Sequence, residues 1–224
     1  MTSPEHGDIR AELEQLSCTE VSDALDRMGI SSQCLGIIPL DRSFRLIGQA
    51  FTVRYGPVGI DHGTVGDYLD GVGLSQVVVI DNQGRMDCTV WGDLLTLTAV
   101  RNGVAGTVID GICRDIDRSI TLSYPIYARG NWMRTGKDRV RVEAVGQPVA
   151  VGGARVEAGD WILGDGDGVL VVPRERAAEL IKTAKLIRGA EDDIREALAY
   201  GATLRAARER VGYHSLQSRP EPRS

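Results

Sequence analysis

The sequence predicts a mixed α/β fold that turns β-rich in its last third and closes on a long C-terminal helix. Three observations predict it. Short runs of β-branched and aliphatic residues alternate with helix-like segments through the first two thirds. Residues 139–172 then alternate with period two between frequent glycines, which reads as antiparallel strands and tight turns. From Pro173 onward, apolar residues recur at Ala177, Leu180, Ile181, Ala184 and Ile187, the spacing of one helix face. A plain doubly wound sheet would not hold so long a glycine-punctuated β stretch.

The elements run in order along the chain. Residues 9–16 and 20–28 read as short helices, the second with Thr19 as N-cap and Gly29 as its left-handed stop. Phe44–Tyr55 has strand composition, and residues 64–71 hold one or two helical turns. Gln76–Ile80 (QVVVI) is a continuous β-branched run, as in a strand buried on both faces. Residues 91–101 form a helix whose apolar stripe is Leu94, Leu95, Leu97, Thr98 and Val100, stopped at Gly103. Val104–Ile109 is a second buried strand, ending in Asp110-Gly111. CRDIDRS leads into a short helix, and PIYARG is a further strand. Proline at 173 suits the first turn of the long helix, which runs to about Tyr200. Its outer side carries Arg174, Glu175, Arg176, Glu179, Lys182 and Lys185, a solvated face. No linker or repeat interrupts residues 8–210, which read as a single domain, with 211–224 as a disordered tail.

Composition removes several function classes. With 26 Lys and Arg against 31 Asp and Glu, the net charge of −5 argues against a nucleic-acid platform. No stretch of about 18 apolar residues offers a membrane span. The segment MTSPEHGDIRAELEQL lacks a charged-then-apolar leader, so a cytoplasmic location is expected. Cys18, Cys34, Cys88 and Cys113 form no CxxC pair and read as reduced, partly buried thiols. His6, His62 and His214 are too dispersed for a histidine metal cluster. Any metal must be held by carboxylates and water, which favours Mg²⁺ or Mn²⁺ over zinc.

Two strand-to-helix junctions carry chemistry. The first is Trp91-Gly92-Asp93-Leu94-Leu95. A helix N-terminus leaves backbone N–H groups without partners and carries the positive end of the dipole, so residues 93–95 offer an anion cradle. Gly92 lets a ligand approach, although Gly92 and Asp93 equally well just start a helix. The second is Ile109-Asp110-Gly111-Ile112-Cys113-Arg114-Asp115. Arg114 has a fork suited to a carboxylate or an enolate oxygen, and Asp115 suits a hard cation. Alone, this Arg-Asp dipeptide is a surface ion pair worth less than about 1 kcal/mol. If the two strands are neighbours, both junctions open on one sheet edge, where α/β folds collect ligands.

WGDLLTLTAVRNGVAGTVIDGICRD, with GDGDGVLVVPRERA at 164–177 and VSDALDRMG at 21–29, resembles the core of the RraA-like family. That family includes the 4-hydroxy-4-methyl-2-oxoglutarate and 4-carboxy-4-hydroxy-2-oxoadipate aldolases. The likeness spans about residues 15–205, and Asp93 followed after twenty intervening residues by Arg114 and Asp115 is its most specific part. It implies stacked β-sheets with flanking helices, like a phosphohistidine swivelling domain. It also implies a homotrimer, or a hexamer of two trimers, with sites between subunits.

Residue by residue, the resemblance puts the substrate-binding amides at Gly92, Asp93, Leu94 and Leu95, the substrate-contacting arginine at Arg114 and the Mg²⁺ ligand at Asp115. Asp93 falls on the carboxylate that orders a water with a glutamate from a neighbouring C-terminal helix. Glu191 is the candidate here, and Asp192 the alternative. The implied activity is a divalent-metal (class II) pyruvate aldolase acting on 4-hydroxy-2-oxo acids, with an oxaloacetate decarboxylase side activity. A family subgroup binds ribonuclease E without catalysis and lacks the full acidic set, whereas Asp93 is present here. A metal lyase for another oxo or hydroxy acid is the remaining alternative. Cys113 reads as filler, Lys137 as an exposed turn residue, and Gly71–Leu74 as a helix-ending turn with no nucleotide loop. Arg54, His62, Asp67 and Arg134 are candidates for the remote end of the pocket.

Overall fold

The computed structural model describes residues 4–60 and 65–213. His62 and His214 lie outside the described residues, as does the rest of the expected tail from 214 onward. The chain divides into two compact units, Ser32–Arg174 and the two chain ends flanking it.

The amino-terminal part of the helical unit holds α1 (Pro4–Glu14) and α2 (Cys18–Met28). The cap of α2 is Ser17, not Thr19. The Ser17 hydroxyl accepts the Glu20 N–H at 3.2 Å and the Glu20 carboxylate accepts the Ser17 N–H at 2.8 Å, a reciprocal capping box. Thr19 has no acidic residue three positions on and loses that competition. Gly29 ends the helix in the left-handed region, at φ 71°, as expected.

The sheet unit contains, in order, β1 (Ile38–Pro39), β2 (Leu46–Pro57), a 3₁₀ turn (Asp67–Gly71), β3 (Val77–Thr89), α3 (Asp93–Arg101), β4 (Gly106–Cys113), α4 (Ile116–Thr121) and β5 (Ile126–Asn131). Five further strands come after these: β6 (Val140–Val145), β7 (Val149–Val151), β8 (Ala154–Val156), β9 (Trp161–Asp165) and β10 (Gly168–Val172). The main sheet runs β1-β5-β4-β3-β2-β9-β10, with β6 also on β2. Strands β2, β3, β4 and β5 are parallel neighbours, while β6, β9 and β10 pair antiparallel. The β7–β8 ribbon is separate.

The uninterrupted apolar runs result from burial on both faces. Val78, Ile80 and Ile109 point into a cluster with Trp91, Ala99 and Tyr124, against α3 and α4. Val77, Val79 and Val108 point the other way, into a cluster with Val151 and Val156 of the β7–β8 ribbon. Two β layers with helices on one side are therefore what the apolar pattern demands.

Two strands run further than expected. β4 continues through Asp110-Gly111 to Cys113, buried throughout. β3 continues to Thr89, but irregularly: positions 81 to 89 of β3 pass only 110 to 112 of β4. Gln83 and Gly84, both left-handed at φ 57° and 67°, throw out the extra residues. The α3 stripe is also turned around. Thr96 and Ala99 face the core, while Leu94, Leu97 and Val100 face outward. The anchor that sets this rotation is Trp91, just before the helix: its buried indole donates to the Thr96 hydroxyl at 3.0 Å.

The carboxyl-terminal part of the helical unit holds α5 (Ala177–Ala199), after a 3₁₀ turn over Arg174–Arg176, and α6 (Leu204–Val211). Ala177, Leu180, Ile181, Ala184 and Ile187 are all buried, as their spacing requires. Lys185 is not merely solvated; it pairs with Glu12 of α1. Of the segment expected as a tail, Val211 ends α6 and Gly212 caps it at φ 62°. Among the described residues, no helix is long and apolar enough to cross a membrane.

Candidate active site

β3 and β4 pair in parallel, so both junctions do open on the same edge of the sheet. The backbone knits them together. The Arg114 N–H donates to Trp91 O at 3.0 Å, the Thr89 N–H to Arg134 O at 2.9 Å, and the Trp132 N–H to Cys113 O at 3.0 Å. Trp91 anchors this cluster. Its ring stacks on Tyr124, with centroids 6.1 Å apart and planes 3° apart. The Thr96 hydroxyl that takes its indole N–H donates onward to Gly92 O at 3.1 Å. The start of α3 and the backbone of Arg114 are thus held by the same buried indole residue.

Gly92 is the N-cap of α3, in extended backbone that any residue adopts. What it provides is space. A Cβ there would lie 2.8 Å from Asp115 Oδ2 and 3.1 Å from Arg114 Nε. Asp115 is the N-cap of α4 and is left-handed at φ 56°, uncommon for a non-glycine residue and most tolerated by Asp and Asn. This turn swings its carboxylate toward α3. Asp115 Oδ2 accepts the Asp93 N–H at 3.1 Å and lies 3.3 Å from Arg114 Nε. Asp93 Oδ1 in turn accepts the Leu94 N–H at 2.8 Å. Two N–H groups at the start of α3, those of Asp93 and Leu94, are thus met by carboxylates of the chain itself. Both the Arg114 and Asp115 side chains remain about two-fifths exposed, at 42% and 40%.

Two recesses share Asp93. One, of about 190 Å³, is lined by Gly92, Leu94, Leu95 and Arg114 together with Val65, Thr89 and Thr135. The other, of about 300 Å³, is lined by Asp115, Asp117, Arg118 and Thr121. Thr89 and Thr135 were not legible from sequence: a bridge between residues 46 positions apart (89 to 135) brings them together, and no local pattern announces it. Of the residues considered for the remote end of the pocket, Arg54, Asp67 and Arg134 line neither recess.

Glu191 and Asp192 lie on α5 in the helical unit. Glu191 accepts from the Tyr213 hydroxyl at 2.9 Å and from Arg195 at 2.7 Å, and Asp192 from Arg195 at 2.6 Å. Of the two, Asp192 is the more exposed, at 62% against 21%.

All four cysteines are buried and none is in a disulfide. Burial pushes the Cys113 thiol, next to Arg114, up to about 12, with Asp115 adding in the same direction. A thiol so raised is protonated at neutral pH and is no nucleophile. Lys137 is exposed, as expected. Among the described residues, no three His, Cys, Asp or Glu side chains gather into a metal cage. The oxygen donors at this edge are solvent-open carboxylates, with Asp115 the best placed. That fits a hard cation that keeps most of its water, and does not fit zinc.

A family model described as RraA-like (Aldolase/RraA) matches residues 18–171. The chain belongs to the RraA-like family. Within this family, it is 40% identical over 205 residues to DlpA of Legionella pneumophila; the match covers 90% of this chain but spans only about a third (33%) of DlpA. It is 33% identical over 191 residues to a Halalkalibacterium halodurans protein provisionally named a 4-hydroxy-4-methyl-2-oxoglutarate aldolase, covering 84% of this chain and 87% of that one. The crystal structure of RraAS2 from Streptomyces coelicolor superposes with a TM-score of 0.76 at 28% identity, over 88% of this chain and 97% of that one. RraAS2 is described as an unusual member of the RNase ES inhibitor RraA family.

Proposed function

We propose that the chain is a carbon–carbon lyase of the pyruvate-aldolase type, cleaving 4-hydroxy-2-oxo acids such as 4-hydroxy-4-methyl-2-oxoglutarate and decarboxylating oxaloacetate as a side activity. One observation carries this reading: a helix N-terminus, a guanidinium and two carboxylates converge within hydrogen-bond reach at the carboxyl edge of two parallel strands. Names given to relatives support the same activity.

The residues divide the work. The N–H groups at the start of α3 bind and orient the substrate carboxylate. Arg114 faces the keto oxygen and stabilises negative charge as the enolate forms. Asp93, with Glu191 or Asp192 contributed by a neighbouring copy, orders a water that moves the proton between the 4-hydroxyl and the enolate carbon. Asp115 would hold Mg²⁺ or Mn²⁺, which when bound would supply Lewis-acid polarisation of the keto group. Decarboxylation of oxaloacetate needs the same enolate stabilisation and no further group. The outward Leu94, Leu97 and Val100 of α3 support assembly into a trimer or hexamer, which light scattering would measure.

The likeness to RraAS2 supports a second reading, a regulator that binds a ribonuclease without catalysis. One assay separates them. With Mg²⁺ and oxaloacetate or 4-hydroxy-4-methyl-2-oxoglutarate, a lyase releases pyruvate, followed through lactate dehydrogenase, and chelation with EDTA stops it. Pyruvate release at the uncatalysed rate, with tight ribonuclease binding, would establish the regulator instead.

A further inference from the structure

Asp115 Oδ2 accepts the Asp93 N–H at 3.1 Å and forms an ion pair with Arg114, whose Nε lies 3.3 Å away. These are the two groups that the lyase reading assigns to the oxo acid. One oxygen of this chain thus sits where a carboxylate oxygen of the substrate would be recognised. The backbone is set for that pose, since Asp115 holds a left-handed φ of 56° that few non-glycine residues adopt. Gly92 keeps clear the space the carboxylate crosses, as a Cβ there would lie 2.8 Å from it.

Building on the lyase reading, we propose that Asp115 is an internal occupant of the oxo-acid cradle, so that the free chain rejects small carboxylates until a divalent cation draws Asp115 away. The donors are positive, so in the free chain they hold the nearest anion, their own neighbour. A cation competes with them for the same oxygen. Once Asp115 turns to the cation, the Asp93 N–H and the guanidinium are released to a ligand. Binding is then ordered, cation before oxo acid, and the coupling is reciprocal: a bound oxo acid tightens the cation.

Pyruvate binding to metal-depleted protein, measured by calorimetry, tests this without turnover. Asp115→Gly removes the carboxylate and tolerates the left-handed backbone. It should bind pyruvate about tenfold more tightly than the metal-depleted wild type, the gain expected from freeing a helix N-terminus and a guanidinium. Asp115→Asn, which keeps an acceptor but loses the charge, should fall between. In the wild type, Mg²⁺ alone should shift the backbone amide resonance of Asp93, and in Asp115→Gly it should not. If Asp115 serves only as a cation ligand, metal-depleted wild type and Asp115→Gly bind pyruvate equally and the Asp93 amide is indifferent to Mg²⁺; either result overturns the proposal. The lyase reading fails separately. Should Asp115→Gly gain pyruvate affinity while the wild type with Mg²⁺ releases no pyruvate from any hydroxy-oxo acid, the cradle stands and the lyase falls.

Discussion

Two Arg–Asp pairs have their carboxylate on β4 or just beyond it, and they behave in opposite ways. Asp110 is buried within the strand. Its Oδ1 takes Arg129 Nε at 2.5 Å and its Oδ2 takes the Gly152 N–H at 2.8 Å, which ties β5 and the β7–β8 turn to β4. Asp115, five positions on, is about two-fifths exposed, left-handed, and shares one oxygen between an ion pair with Arg114 and a helix N–H. The same residue types give a rivet in one place and an exchangeable contact in the other. Depth in the sheet decides which, because water competes for Asp115 and not for Asp110.

This contrast can be broken in stability first. Asp110→Ala leaves the Arg129 guanidinium without its partner and the Gly152 N–H unmet, and should cost about 3 kcal/mol in urea unfolding. The folded fraction should keep its turnover. Arg114→Ala should do the reverse. Loss of a charge-stabilising donor lowers pyruvate release by about a hundredfold or more, with a thermal midpoint close to the wild type. If Arg114→Ala unfolds the protein, or Asp110→Ala abolishes turnover while folded, the assignment of the two pairs is wrong.

Gly92→Ala sharpens the picture at a single atom. The added methyl pushes on both Asp115 and Arg114, so kcat/KM should drop about tenfold or more, while secondary structure by circular dichroism is unchanged. The smallest effect lies in alkaline stability. The Cys34 and Cys113 thiols are both raised from 9.0 to about 12 by burial. The folded chain therefore holds these protons where the unfolded chain loses them, and stability should be level up to about pH 9 and fall above it. Urea unfolding from pH 7 to 10 measures this. Cys113→Ala should flatten part of that fall and leave turnover intact.

Much of this was legible in the residues. The β-branched runs at 76–80 and 104–109 and the helix after Gly92 are local signals, and the structure forms strands and a helix there; the spacing of Asp93, Arg114 and Asp115 is equally local. Ser17-x-x-Glu20 was equally legible as a capping box, since Thr19 has no acidic residue at the matching position. The outward turn of Leu94, Leu97 and Val100 was not legible. Helical spacing marks two overlapping stripes on α3, and only the bond from Trp91 to Thr96 selects Thr96 and Ala99 for the core.

Order along the chain by itself determined which residues are strands, where α3 begins, and that an arginine and carboxylates of matched chemistry come after parallel strands. These are properties of a few neighbouring side chains and of the backbone donors they leave open. Only the tertiary structure decided that Asp115 bends back onto α3, that Thr135 reaches Thr89, and that Asp110 is sealed while Asp115 is not. Those outcomes depend on sheet register and depth from water. Both are set by segments tens of residues apart, and no local window of sequence contains them.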